Sequence, residues 1–376
     1  MKSDLLGPFL LLLFLISSTV TGLGSVVTKQ YSYMQSHSTW QSAQSSCKSS
    51  TYNSDLATFF TQSDEDLITM TYYHAWIGLH LVTNSNIYWT WTYSPYTYSS
   101  TNYNYFSRWA SSEPDTGESC ATVYYTNRLI YGQSCGESFF FFCHKRQSQQ
   151  FEYIFIPQSK SWTDAREHCQ SDFDDLATFE GMSNLNSVVN QQDFPVWIGL
   201  HRDGLTWKWS SGLSEYTNWA PNEPTNNNGD CVAITSTGKK MHTQNCNALF
   251  PYVCFRDNLV LVKENKTWEE ALEHCRALQP PDQSSLRYEL VSVQPGEDHN
   301  FVINKVKEAD TEEVWAGLRF LAGHWFWVNE ADMLYSNLPD CPSAGQHCGV
   351  LSKNDTGSAE ITDCSERRNF LCYSTY

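Results

Sequence analysis

Ser161-Trp-Thr-Asp-Ala-Arg-Glu-His-Cys169, followed by Asp175-Leu-Ala-Thr-Phe179 and Trp197-Ile-Gly-Leu200, is the stretch from which the rest of the chain can be read. Trp162, Ala165 and Cys169 stand at i, i+3 and i+7, one apolar stripe along a helix. Ser161 with Asp164 three residues on is a capping-box pattern, its hydroxyl available to the first turn's free amides. A short apolar strand comes next, then a second helix near 184–190 and the Trp-Ile-Gly-Leu strand. Trp207 and Trp209 follow, and Cys254 closes the segment.

The same sentence is written twice more. Trp40 and Cys47 open the first copy, and Trp268 and Cys275 open the third. Their short strands are Asp55–Phe59 and Glu289–Val293, their core motifs Trp76-Ile-Gly-Leu79 and Trp315-Ala-Gly-Leu318. Trp89/Trp91 and Trp325/Trp327 follow, and Cys143 and Cys372 close the copies. Thr39 and Thr267 stand where Ser161 does, and second helices are predicted near 64–70 and 297–307. A period this long, with a full apolar inventory in each copy, means tandem domains rather than a solenoid. The expected units are residues 29–145, 151–255 and 259–375. The joints, Arg146–Gln150 and Arg256–Asn258, are short enough to hold neighbours close.

Residues 1–24 have the layout of a secretory signal peptide: Lys2, an apolar run from Phe9 to Ile16, then small residues up to Gly24. That run is shorter than the ~20 residues a membrane span needs. No later stretch is apolar enough, so a secreted, extracellular, soluble protein without membrane insertion is expected. Thirteen cysteines in an exported chain imply disulfides. Each copy has four: Cys47, Cys120, Cys135 and Cys143; Cys169, Cys231, Cys246 and Cys254; Cys275, Cys348, Cys364 and Cys372. Each set of four permits three connectivities. Cys341 is left over, either as a buried thiol or as the bridge of a covalent dimer.

The net charge is −17, graded along the chain. Residues 25–148 hold 6 basic and 8 acidic side chains, residues 149–255 hold 6 and 12, and residues 256–376 hold 11 and 20. Such a field argues against nucleic acid as a partner. No Gly-x-Ser-x-Gly elbow, His-Glu-x-x-His helix or phosphate loop is present, so an enzyme is not expected. His80 and His201 repeat after the core motif and read as structural. Asn265-Lys-Thr267 and Asn354-Asp-Thr356 are sequons for surface glycans. The loop bearing Tyr93, Tyr96, Tyr98, Tyr103, Tyr105 and Phe106 could stack on sugar faces or anchor a protein.

Taken together, these motifs resemble the C-type-lectin-like domain, three in tandem over residues 29–375, in an arrangement similar to the mannose-receptor group but without its membrane anchor. The resemblance implies an α+β fold, each unit having two helices, two small antiparallel sheets and a long ligand loop. It also implies nested disulfides: Cys47–Cys143 around Cys120–Cys135, Cys169–Cys254 around Cys231–Cys246, and Cys275–Cys372 around Cys348–Cys364.

In sugar-binding members, calcium is held by a Glu-Pro-Asn or Gln-Pro-Asp triplet, a glutamate two residues before the next cysteine, and an Asn-Asp pair in the following strand. Calcium takes ~6–8 oxygen ligands, some of them contributed by sugar hydroxyls. Copy one offers Glu113-Pro-Asp115 and Glu118, a weak calcium candidate, with Tyr131 and Gly132 at the Asn-Asp positions. Copy two offers Glu223-Pro-Thr225, Gly229 beside Asp230, then His242 and Thr243. Copy three has Leu338-Pro-Asp340, Gln346, Glu360 and Ile361. The expected function is recognition of carbohydrate or glycoprotein ligands through Glu113, Asp115, Glu118, Glu223, Thr225 and Asp230, with weak or degenerate calcium dependence. Calcium-independent protein recognition on the same scaffold is the alternative.

Overall fold

A computed structural model describes residues 17–20, 27–50, 54–83, 88–92, 108–147, 150–179, 182–210, 214–278, 286–294, 297–335, 338–354 and 360–375. The tyrosine-rich loop lies outside the described residues.

A strand β1 (Ser17–Val20), inside the expected signal segment, precedes copy one and pairs with its first strand. Copy one runs β2 (Lys29–Ser38), α1 (Trp40–Ser50), β3 (Ser54–Leu56), α2 (Gln62–Asp66), β4 (His74–Val82), β5 (Tyr88–Trp91), β6 (Cys120–Tyr124), β7 (Ile130–Gln133) and β8 (Phe139–Gln147). Copy two runs β9 (Gln150–Lys160), α3 (Trp162–Asp172), β10 (Asp175–Leu176), α4 (Met182–Val188), β11 (Pro195–Asp203), β12 (Thr206–Trp209), β13 (Cys231–Thr235), β14 (Met241–Gln244) and β15 (Phe250–Asp257). Copy three runs β16 (Leu259–Lys266), α5 (Trp268–Ala277), β17 (Arg287–Leu290), α6 (Glu297–Lys307), β18 (Glu313–Leu321), β19 (His324–Trp327), β20 (Cys348–Ser352), β21 (Glu360–Thr362) and β22 (Arg368–Thr375).

The leading helices form as their sequences dictate. The amides of Ser42, Asp164 and Glu270 donate to the hydroxyls of Thr39, Ser161 and Thr267, which satisfies a first-turn donor in each helix. Their Trp/Ala/Cys stripes are all buried. The sheets run as single hydrogen-bonded networks rather than two separate sheets per unit, because the core-motif strands β4, β11 and β18 each pair on more than one side.

Copy three folds on itself. Strand β16 pairs with β22, the Trp268 indole donates to the Ala316 carbonyl at 2.8 Å, and Cys275 joins Cys372. Copies one and two instead trade their leading arms. Strand β2 pairs with β15 and β9 with β8. The Trp40 indole donates to Ile198 and the Trp162 indole to Ile77, each across to the other copy.

The motif glycine records the same exchange. Gly78 N donates to Ala177 O, Gly199 N to Ala57 O and Gly317 N to Val291 O, each at 2.8–2.9 Å. A Cβ at these positions would lie within 2.8–3.0 Å of a carbonyl on the approaching arm, so only glycine admits the contact.

The disulfides follow the arms. Cys47 bonds Cys254, and Cys143 bonds Cys169. The expected pairs Cys47–Cys143 and Cys169–Cys254 are therefore corrected: each helix cysteine meets the final strand it packs on, and that strand belongs to the other copy. Cys120–Cys135, Cys231–Cys246 and Cys348–Cys364 form as expected. Cys341 is free and exposed, which removes the buried-thiol alternative.

There are thus three bodies. The first holds β4–β8 with the arm of copy two, the second β11–β15 with the arm of copy one, and the third is copy three. Between the first two, Tyr73 packs against Phe194 and its hydroxyl donates to Asn190 O. The third docks through α6, where Phe301 meets Phe60 and Phe255 edge-on. Lys305 reaches Asp257 at 3.6 Å, and a buried Lys29–Asp64 pair lies beside Phe301. Asn258 ties the ends together, accepting from Thr28 N and donating to Ser374 O.

Candidate functional site

The segment before β6, β13 or β20 carries each X-Pro turn. Trp109 bridges to Ile130 and Trp219 to Met241, which fixes that segment against the edge strand in the first two bodies. The peptide bonds Glu113–Pro114 and Glu223–Pro224 are cis.

In the first body, Glu113 and Glu118 are brought together, and Asp115 contributes its backbone amide and its charge. Glu113 Oε2 accepts from Gly132 N at 2.9 Å, and Glu118 Oε2 accepts from Asp115 N at 2.7 Å. Burial pushes the Glu113 carboxyl above its usual range; the Gly132 amide pulls it back, and the charges of Glu118 and Asp115 raise it again. The Glu118 carboxylate occupies the space that a side chain at position 132 would need, since a Cβ on Gly132 would stand 2.0 Å from Glu118 Oε2. Tyr131 is turned to other work, its ring edge-on to Tyr124 and His74.

The second body reuses the same frame with different chemistry. Glu223 Oε2 accepts from the Thr243 hydroxyl at 2.7 Å, from Thr225 N at 2.9 Å and from Thr243 N at 3.2 Å. Thr225 and Thr243 share a 2.8 Å hydroxyl contact, and His242 Nδ1 stands 3.8 Å from Glu223 Oε1. Burial alone would raise the Glu223 carboxyl, yet these hydrogen bonds together hold it below its usual range. Asp230 is not brought to this cluster. It is held by Arg202, whose Nε donates to Oδ1 at 2.6 Å, while the guanidinium lies over Trp207. Gly229 explains the missing glutamate: its φ is +122°, and a Cβ there would lie 2.3 Å from Gln244 O.

In the third body the aliphatic Leu338 stands in the triplet, and the carbonyl of Pro339 accepts from the Trp325 indole. Asp340 and Gln346 are exposed. Among the described residues, no three His, Cys, Asp or Glu side chains converge as a ready-made metal cage. By donor chemistry, the carboxylates of the first body suit a hard cation but are few. The second body has spent its one suitable carboxylate on threonines, and the third offers no matching set. Asn265 and Asn354 are exposed, with Asn265 Oδ1 accepting from Asn369. The engagement of Glu223 by Thr225 and Thr243 was missed from sequence, although two threonines where an acidic pair would stand were its signal.

Paired helices on a disulfide-stapled sheet, with a proline turn in a long irregular segment, define a lectin-like recognition fold. The Lectin C-type domain family model matches residues 36–145, 158–256 and 264–374, and the chain belongs to that family. It is 22% identical over 261 residues to the human secretory phospholipase A2 receptor, 57% of this chain and 17% of that protein. It is 24% identical over 277 residues to the mouse C-type mannose receptor 2, 60% of this chain and 19% of that protein. The chain therefore spans less than a fifth of the length of these relatives. Among solved structures, it is similar to the C-type lectin CEL-I from Cucumaria echinata (TM-score 0.28, 20% identity, 31% of this chain and 89% of that one). It is also similar to human lithostathine (TM-score 0.27, 16% identity, 64% and 89%). No described helix is long and apolar enough to cross a membrane.

Proposed function

We propose that this is a secreted, non-enzymatic recognition protein that binds glycans or glycoproteins through the proline-turn faces of its first two bodies, with weak calcium dependence confined to the first. No enzyme family is indicated by its relatives. The observation that supports the reading is that Glu113 and Glu118 are held on one pinned proline turn, where the charges of Glu118 and Asp115 add to burial in raising the Glu113 carboxyl, a repulsion that a divalent cation would relieve. Bound there, calcium would leave coordination positions for vicinal hydroxyls.

At the ~10⁻³ M affinity of weak extracellular sites, 10 mM calcium stabilises the folded chain by about 1.4 kcal/mol. Thermal melts with calcium and with chelator read this directly, and Glu118→Gln should abolish the difference. Retention on immobilised mannose, fucose or galactose, released by chelator, supports the reading. A melt indifferent to calcium, together with no sugar retention, would refute it.

The Thr-bound Glu223 favours a second reading for the second body, namely recognition without an ion. There a ligand retained through a chelator wash, yet lost in Glu223→Ala, is the expected result.

A further inference from the structure

Each arm is a self-contained piece. Lys48 pairs with Asp55, Arg166 with Asp175 and Arg276 with Glu289, joining helix to following strand within every arm. Each arm also docks through equivalent contacts: an arm tryptophan on the frame's core motif, a frame glycine on the arm's strand, and one helix disulfide. Since these contacts are nearly the same in all three bodies, they do not distinguish self-docking from exchange. Chain connectivity does.

Strand β8 ends at Gln147 and β9 begins at Gln150, and these two residues pair with one another. Two residues, Ser148 and Gln149, separate them, which is the favoured length for a hairpin connection. Once β9 has closed on β8, copy one's own β2 has no edge there, and copy two's β15 has lost its own arm. The next joint differs. A single residue, Asn258, lies between Asp257, which pairs with Lys29, and Leu259, which pairs with Tyr373. One residue is too short for the hairpin, so β16 turns away to its own body.

We propose that the two-residue joint after copy one commits copies one and two to exchange arms, making them a single folding unit locked by Cys47–Cys254 and Cys143–Cys169, while copy three folds independently.

The test alters the joint in the full-length chain and maps disulfides by mass spectrometry of unreduced peptides. Eight prolines inserted between Ser148 and Gln149 form a stiff spacer of about 25 Å that forbids the hairpin. The expected map then contains Cys47–Cys143 and Cys169–Cys254, with Cys275–Cys372 unchanged as the internal control. Persistence of Cys47–Cys254 and Cys143–Cys169 overturns the proposal. A second variant covers failure of the first to fold: a twelve-residue Gly/Ser insert with a protease site at the same point. Lengthening the loop should raise the self-paired share by about tenfold over the unaltered chain. After cleavage, exchanged halves stay joined on a non-reducing gel and self-paired halves separate. Halves that remain wholly joined count against the joint as the determinant.

Discussion

Mild acidification should weaken the crossing point of the exchanged bodies. His37 lies near the end of β2 and His74 begins β4, where the chain passes from the arm to its own frame. His37 Nδ1 meets the Ser159 hydroxyl of the other arm, and the ring packs on Phe139 and Phe140. His74 meets Thr122 Oγ1 at 3.1 Å, with Tyr124 stacked on it and Tyr131 and Phe139 alongside. The groups facing both rings are neutral. Burial lowers His37 from 6.5 to about 3, helped by His74, and burial lowers His74 to about 4. Both are neutral in the folded chain and protonate in the unfolded one, so their contribution is complete above pH 6.5. It is lost as pH falls from there toward the folded values.

At pH 5.5, one unit below the unfolded value, each ring costs about 1.4 kcal/mol. Because both are only half-buried by surface area, about 2 kcal/mol is expected from the pair. His80 and His144, also lowered by burial, act in the same direction. Urea unfolding at pH 7.5 and 5.5 measures the difference, and His37→Gln/His74→Gln should remove most of it. A midpoint independent of pH over that range, or a double variant that keeps the full drop, refutes the reasoning.

Gly229→Ala should destabilise the second body by about 1–3 kcal/mol, since the backbone is left-handed there and the new Cβ would meet Gln244 O; calorimetry reads the loss. Phe301→Ala removes the α6 ring set between Phe60 and Phe255 and should cost about 3–5 kcal/mol, loosening the third body and speeding proteolysis around Asn258. Exposed Cys341 is the place for an interchain bridge: a species of twice the chain mass on non-reducing gels should vanish in Cys341→Ser, and single-chain mobility of the unaltered protein would rule the bridge out.

The site was legible only in part, for a physical reason. Glu113 and Glu118, singled out by the resemblance, lie on one turn because the proline turn and edge strand pin that loop, with Glu113 accepting from Gly132 N and Glu118 from Asp115 N. Asp230 was a candidate because it stands beside Gly229, the glutamate position implied by the resemblance, but Arg202 on a neighbouring strand holds it in a direct ion pair. No reading of one loop contains the cation across the sheet.

What the chain determines by itself is the frame. Helix caps and Trp/Ala/Cys stripes are local rules and hold in all three copies; the motif glycine recurs in each copy, but its carbonyl partner lies on another copy's arm in two of the three. What tertiary structure decided is which arm completes which frame. Repetition hides that choice: when three copies present the same groove and the same key, each cysteine and each tryptophan has more than one chemically equal partner. Only the path of the chain through space, with β9 folded back on β8 at one joint and β16 led away to β22 at the next, separates Cys47–Cys254 from Cys47–Cys143.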